Sequence, residues 1–124
     1  MALIIAAQAG LSQPKPVGQF EQNTDIGGPQ LAGSAKYDAA AQQYTLSGGG
    51  TNMWFGRDQF HFLSRPMKGD FILRCRIEFI AKGADKHRKV GWMVRPTLEA
   101  DAPYADCAEH GDGLTSLQFR RAAG

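Results

Sequence analysis

Apolar and polar residues alternate most regularly between Phe71 and Ile80. Phe71, Leu73, Cys75, Ile77 and Phe79 hold the odd positions, while Arg74, Arg76 and Glu78 fall among the even ones. Side chains along a strand point to opposite faces in turn, so this spacing predicts a half-buried antiparallel strand with an apolar wall and a mostly polar face. Val90, Trp92 and Val94 repeat the alternation against Gly91, Met93 and Arg95, after a polar connection rich in Lys, His and Arg. The two runs read as a hairpin-like pair at the centre of an all-β fold. Around it, Phe20 to Ile26 predicts a first strand closed by Gly27, Gly28 and Pro29, and Ser34 to Asp38 with Gln43 to Ser47 predicts a hairpin. Asp58 to Arg65 and Leu114 to Arg121 supply two more alternating runs, and the acidic stretch from Thr97 to Gly113 reads as a long loop. Gly48, Gly49 and Gly50 read as a bend between strands. A phosphate cradle would need a following Lys-Ser/Thr and a helix, where this chain has Thr51, Asn52 and Met53.

A chain of 124 residues is one domain, and its 15 glycines and 6 prolines suit many short strands joined by tight turns. Its 14 basic and 12 acidic residues are spread evenly, giving a formal charge of +2 without a basic stripe, which argues against a nucleic-acid partner. The first ten residues are apolar and end near Ala7-Gln8-Ala9, the small-x-small form of a signal-peptidase site, although a basic start is missing. Residues 1–18 are therefore expected to be a signal-peptide remnant and a Pro-containing linker, with the domain at 19–124 and the protein exported. The apolar run is far shorter than the roughly 20 residues a membrane span needs. Cys75 falls on an apolar strand face and is expected to be a buried free thiol, with Cys107 in the polar loop; a disulfide between the two is the alternative if the chain is exported. Neither CxxC nor HxxxH spacing is present, so no zinc site or other cofactor is expected.

One series of short motifs runs through the chain in order. It comprises Asp25-Ile26-Gly27, Gly33-Ser34-Ala35 with Tyr37-Asp38, Tyr44-Thr45-Leu46, Asn52-Met53-Trp54, Asp58-Gln59-Phe60-His61-Phe62, Lys68-Gly69-Asp70-Phe71, Gly91-Trp92-Met93-Val94-Arg95 and Gln118-Phe119-Arg120. Over roughly residues 20–121 this series resembles the concanavalin A-like lectin/glucanase domains, and is most similar to members fused to Tol-type β-propeller proteins. The resemblance implies an antiparallel β-sandwich of jelly-roll type, truncated at the C-terminus, since about seven strands are countable where a jelly roll has eight or more. An incomplete sandwich is expected to self-associate through an unpaired sheet edge or to pack on a β-propeller.

The strand parity then suggests a site. With the odd residues of the core strands inward, Arg74, Arg76, Glu78, Arg95, Gln118 and Arg120 fall on the opposite side, though not necessarily of one sheet. In the resembled domains the concave sheet face carries the ligand groove. Such a face, with Trp54 and Asp58 at its rim, suits a carbohydrate or cell-envelope glycan, because planar guanidinium forks bind pairs of oxygens and aromatic rings stack on sugars. The competing reading is a solvated sheet face with cross-strand Arg–Glu pairs. Trp92, alternating with two valines, is expected in the core. For Trp54, core packing competes with the groove rim.

Catalysis is the sharper alternative. Retaining glucanases need two carboxyl groups about 5 Å apart, and Glu78 stands alone on its strand. The leaning is therefore towards a non-catalytic module, with a glucanase fragment as a further alternative. Asp101, Asp106, Glu109 and Asp112 match no EF-hand spacing, so the acidic loop is not assigned a metal.

Overall fold

In a computed structural model the described residues, 15–83 and 85–124, form nine strands and no helix. The leader reading for the first residues lies outside them. The strands are β1 (Gln22–Ile26), β2 (Ser34–Asp38), β3 (Gln43–Ser47), β4 (Met53–Trp54), β5 (Arg57–Asp58), β6 (Phe60–Ser64), β7 (Lys89–Val94), β8 (Tyr104–His110) and β9 (Thr115–Arg120). All pairings are antiparallel: β1 with β6, β2 with β3, β4 with β5, and a three-stranded sheet in the order β7-β8-β9. The protein is thus all-β, with small sheets that do not close on one another. No helix among these residues is long and apolar enough to cross a membrane, which says nothing about spanning by strands.

The predicted hairpin forms in register, Tyr37 opposite Tyr44 with ring centroids 4.4 Å apart. Asp38 makes its turn by accepting bonds from the backbone N–H groups of Ala40 and Ala41, at 2.9 and 3.1 Å. Tyr44 then meets Phe20 edge to face at 5.2 Å, and Phe20 lies 6.4 Å from Trp92, so a chain of aromatic rings ties the hairpin to the larger sheet. Strand β1 leaves its ladder at Gly27 and Gly28, both at positive φ. A side chain at Gly27 would also run into the Asp58 carbonyl, so the turn needs glycine for conformation and for space.

Two expectations fail. Phe71 to Phe79 joins no ladder: Leu73, Ile77 and Phe79 are half-buried and the rest exposed, as the segment lies along the side of the sheet that carries Trp92 and Cys107. The partner of β7 is instead β8, which arises from the stretch read as a loop and places Cys107 opposite Trp92. Its period of two was hidden because Tyr104, Asp106, Ala108 and His110 take the buried positions, three of them polar.

The parity of β7 and β9 is as expected, but the burial is reversed. The polar face, with Lys89, Met93, Asp106, His110, Gln118 and Arg120, lies under the β4–β5 hairpin, to which Tyr104 donates a 2.8 Å bond at Met53 O and Lys89 another at Asn52 Oδ1. The opposite face carries Trp92, half-buried, but leaves Val94 49%, Leu117 76% and Phe119 59% exposed.

Candidate functional site

The β4–β5 hairpin is built around one buried ion cluster. Asp58, fully buried at the end of β5, accepts from Arg120 Nη2 at 2.6 Å and Nη1 at 3.0 Å, and from Arg95 Nη1 at 3.2 Å. The two guanidinium side chains are 1% and 9% exposed for Arg95 and Arg120. A buried charge must be paired and hydrogen-bonded, and the remaining donors are satisfied accordingly. Arg95 also donates to the backbone carbonyls of Thr97 and Glu99, and Arg120 to those of Ala102 and Phe55. Burial pulls the Arg95 guanidinium below the ordinary arginine value, whereas the bonds to Asp58 lift that of Arg120. β5, β9 and the connection between β7 and β8 are thereby clamped together. The two arginines line an open depression of about 420 Å³ with Tyr104, Val94, Pro96 and Pro103. Their donors are already committed to Asp58 and to carbonyls, so the cluster braces the surface and leaves little for a ligand.

What the cluster braces is aromatic. Trp54 and Phe55, at the tip of the hairpin, are 47% and 87% exposed, with rings perpendicular and centroids 6.4 Å apart. Phe55 has φ +57°, a left-handed conformation that a two-residue hairpin turn demands and glycine usually supplies. Its carbonyl is held by Arg120 from Nε at 3.0 Å and Nη2 at 2.7 Å. The chain therefore spends backbone strain, held by a buried salt bridge, to present a phenyl ring to solvent. Strain of this kind concentrates at functional positions. Exposed Arg57, cross-strand from Trp54, donates to the Gly27 carbonyl at 3.1 Å and fixes the hairpin against the β1 turn.

Of the residues expected to form the site, the structure brings together Asp58, Arg95 and Arg120 as the buried support and Trp54 as part of the exposed surface. The others are elsewhere. Arg74, Arg76 and Glu78 are exposed on the segment that joins no sheet. Gln118, on the polar face, donates at 2.8 Å to Ser116 Oγ, with its Oε1 buried and unpartnered. Arg95, Gln118 and Arg120, expected on an open ligand-groove face, therefore lie on a covered one. Phe55 was missed; the signal for it is an aromatic pair set directly before a glycine.

Further polar side chains are buried away from this cluster, among them His61 and Asp106. His61, opposite Asp25 on β1, has its ring nitrogens 2.8 Å from Asp25 Oδ1 and 2.7 Å from Asn23 Oδ1, while Asp25 accepts the Gly33 N–H. With both nitrogens engaged, the ring works as a strap between β1, β6 and the Gly33 turn, and a side chain at Gly33 would collide with it. Asp106 is 4% exposed with both carboxylate oxygens unpartnered. Burial pushes its carboxyl up to about 6, against the pull of Lys89. Asp106 and Glu109 point to opposite faces of β8, and no group of three His, Cys, Asp or Glu among the described residues is placed to hold a metal ion.

No protein-family model, curated protein or solved structure matches the chain.

Proposed function

We propose that this protein is a non-catalytic, lectin-like module of the concanavalin A-like β-sandwich type, exported, that binds a carbohydrate or cell-envelope glycan through the Trp54–Phe55 hairpin. The observation that carries this reading is the exposed Phe55 ring at positive φ, its carbonyl clamped by Arg120. Aromatic faces stack on the C–H face of a pyranose, and a pre-set hairpin avoids the ordering cost of a flexible loop. Arg57, exposed beside Trp54, offers charge-assisted donors to sugar hydroxyls or uronic carboxylates. A glycan array probed with the wild-type chain and with Trp54→Ala tests it. Binding to a restricted set of glycans, lost in a Trp54→Ala variant with unchanged circular dichroism, is the expected result. No glycan bound, or equal binding by both, overturns it.

A second reading rests on the apolar face of the β7-β8-β9 sheet, where Leu117 and Phe119 stand exposed. A module that packs this face against a second copy or a β-propeller domain would serve as a structural interaction unit.

A further inference from the structure

The only two cysteines of the chain, 32 positions apart as Cys75 and Cys107, come to the same groove. The groove has a volume of about 340 Å³, and Leu73, Ile77, Trp92 and Glu109 line it with them. Both thiols are free and both residues are exposed, so the expected burial of Cys75 fails: its segment joins no sheet that would cover it. Their settings differ in one way that matters. Cys107 is fixed in the central strand, with Trp92 opposite it on one side and Leu117 on the other. Cys75 lies on the segment from Asp70 to Ile80, which has no ladder partner. Movement of Cys75 towards Cys107 therefore breaks no β hydrogen bond, whereas two cysteines fixed in separate strands would have to meet disulfide geometry as they stand.

We propose that Cys75 and Cys107 are a redox pair, and that oxidation by a small-molecule disulfide joins them and pins the Asp70–Ile80 segment across the sheet. The Cys107 thiolate attacks one sulfur of the oxidant, expelling one thiolate and leaving a mixed disulfide. The Cys75 thiolate then attacks the Cys107 sulfur and expels the second. Two protein thiols and one small disulfide become one protein disulfide and two small thiols, with two electrons passing to the oxidant. Cys107, fixed in the central strand, takes the oxidant first, and Cys75, on the segment without ladder bonds, is the resolving thiol that moves to it. In the reduced state the segment is held by side chains, among them Arg88, which sits over the Phe79 ring at 4.7 Å and donates to Ala81 O at 2.9 Å. The oxidised state adds a covalent clasp at its middle.

Incubation of the full chain with oxidised glutathione, followed by peptide mass mapping and timed trypsin digestion, tests the pair. The expected product is a monomer lacking two hydrogens, with the Cys75 and Cys107 peptides linked. Cleavage after Arg74 and Arg76 should slow by about tenfold as opening of the segment is suppressed. A Cys75→Ser variant should instead hold one stable glutathione on Cys107 and keep the fast cleavage. Persistent glutathione on both cysteines of the wild type, disulfide-linked dimers as the main product, or thiols that stay free would each overturn the proposal.

Discussion

At the scale of single residues, one carboxylate holds two guanidinium groups where water does not reach. Removing Asp58 leaves both charges buried without a counter-ion, so Asp58→Ala should cost about 3–5 kcal/mol, read as a lower urea midpoint. A loss below about 1 kcal/mol would show that the arginines find water when released. Asp106 raises a different issue, because its carboxyl is lifted from 3.8 to about 6 by burial. The native state then binds the proton more tightly than the unfolded chain does. The favourable contribution is complete below about pH 4 and is lost as pH rises through about 6, staying lost above it. Asp106→Asn, which cannot ionise, should gain about 2–3 kcal/mol over the wild type at pH 8 and almost nothing at pH 4, measured by denaturant titration at both. An equal effect at the two values would mean that the Asp106 carboxyl titrates normally. Asp58, Arg95, Arg120 and Trp54 were all legible as candidates, since charged residues in strand positions and a tryptophan after a glycine bend are conspicuous. Their burial was not legible, because parity separates two faces without saying which one the chain covers.

At the scale of elements, the alternation rule located β1, β2, β3, β6, β7 and β9. The hairpin of β2 and β3 was readable from Tyr37 and Tyr44 on either side of Asp38, whose side chain makes the turn. The rule overreached at Phe71 to Phe79, where the alternating apolar residues have no strand to pair with and pack partly against a sheet side. It fell short at β8, where buried Tyr104, Asp106 and His110 look like a polar loop, and at β4 and β5, each of two residues, too short for any period. Hydrogen exchange separates these elements. The amides of β8, paired on both sides, should exchange at least ~100-fold more slowly than those of Phe71 to Ile80. Comparable protection of the two would mean that the Phe71 to Ile80 segment is a strand in solution.

At the scale of the whole molecule, the buried core is small, with Ile26, Leu63, Ala102, Ala108 and the ring of Tyr104 its members among the described residues. Much of the remaining apolar surface is concentrated where β9 turns Leu117 and Phe119 outward. If that face is an interaction surface, light scattering should show association that rises with concentration, and Leu117→Lys should weaken it by at least about tenfold, or about 1.4 kcal/mol. A monomer at all concentrations would remove the self-association reading. A strained aromatic tip that exists to bind a glycan must lose binding with its ring, and Phe55→Gly separates stability from binding at that position. Glycine accepts φ +57° without strain and keeps the carbonyl that Arg120 holds, so the variant should unfold no more easily than the wild type. The measurement is glycan binding by this variant beside the wild type, with melting temperature recorded on the same samples. Binding lost at equal or higher melting temperature is the predicted result; a Phe55→Gly variant that binds as the wild type does would contradict the assignment of the hairpin as the site.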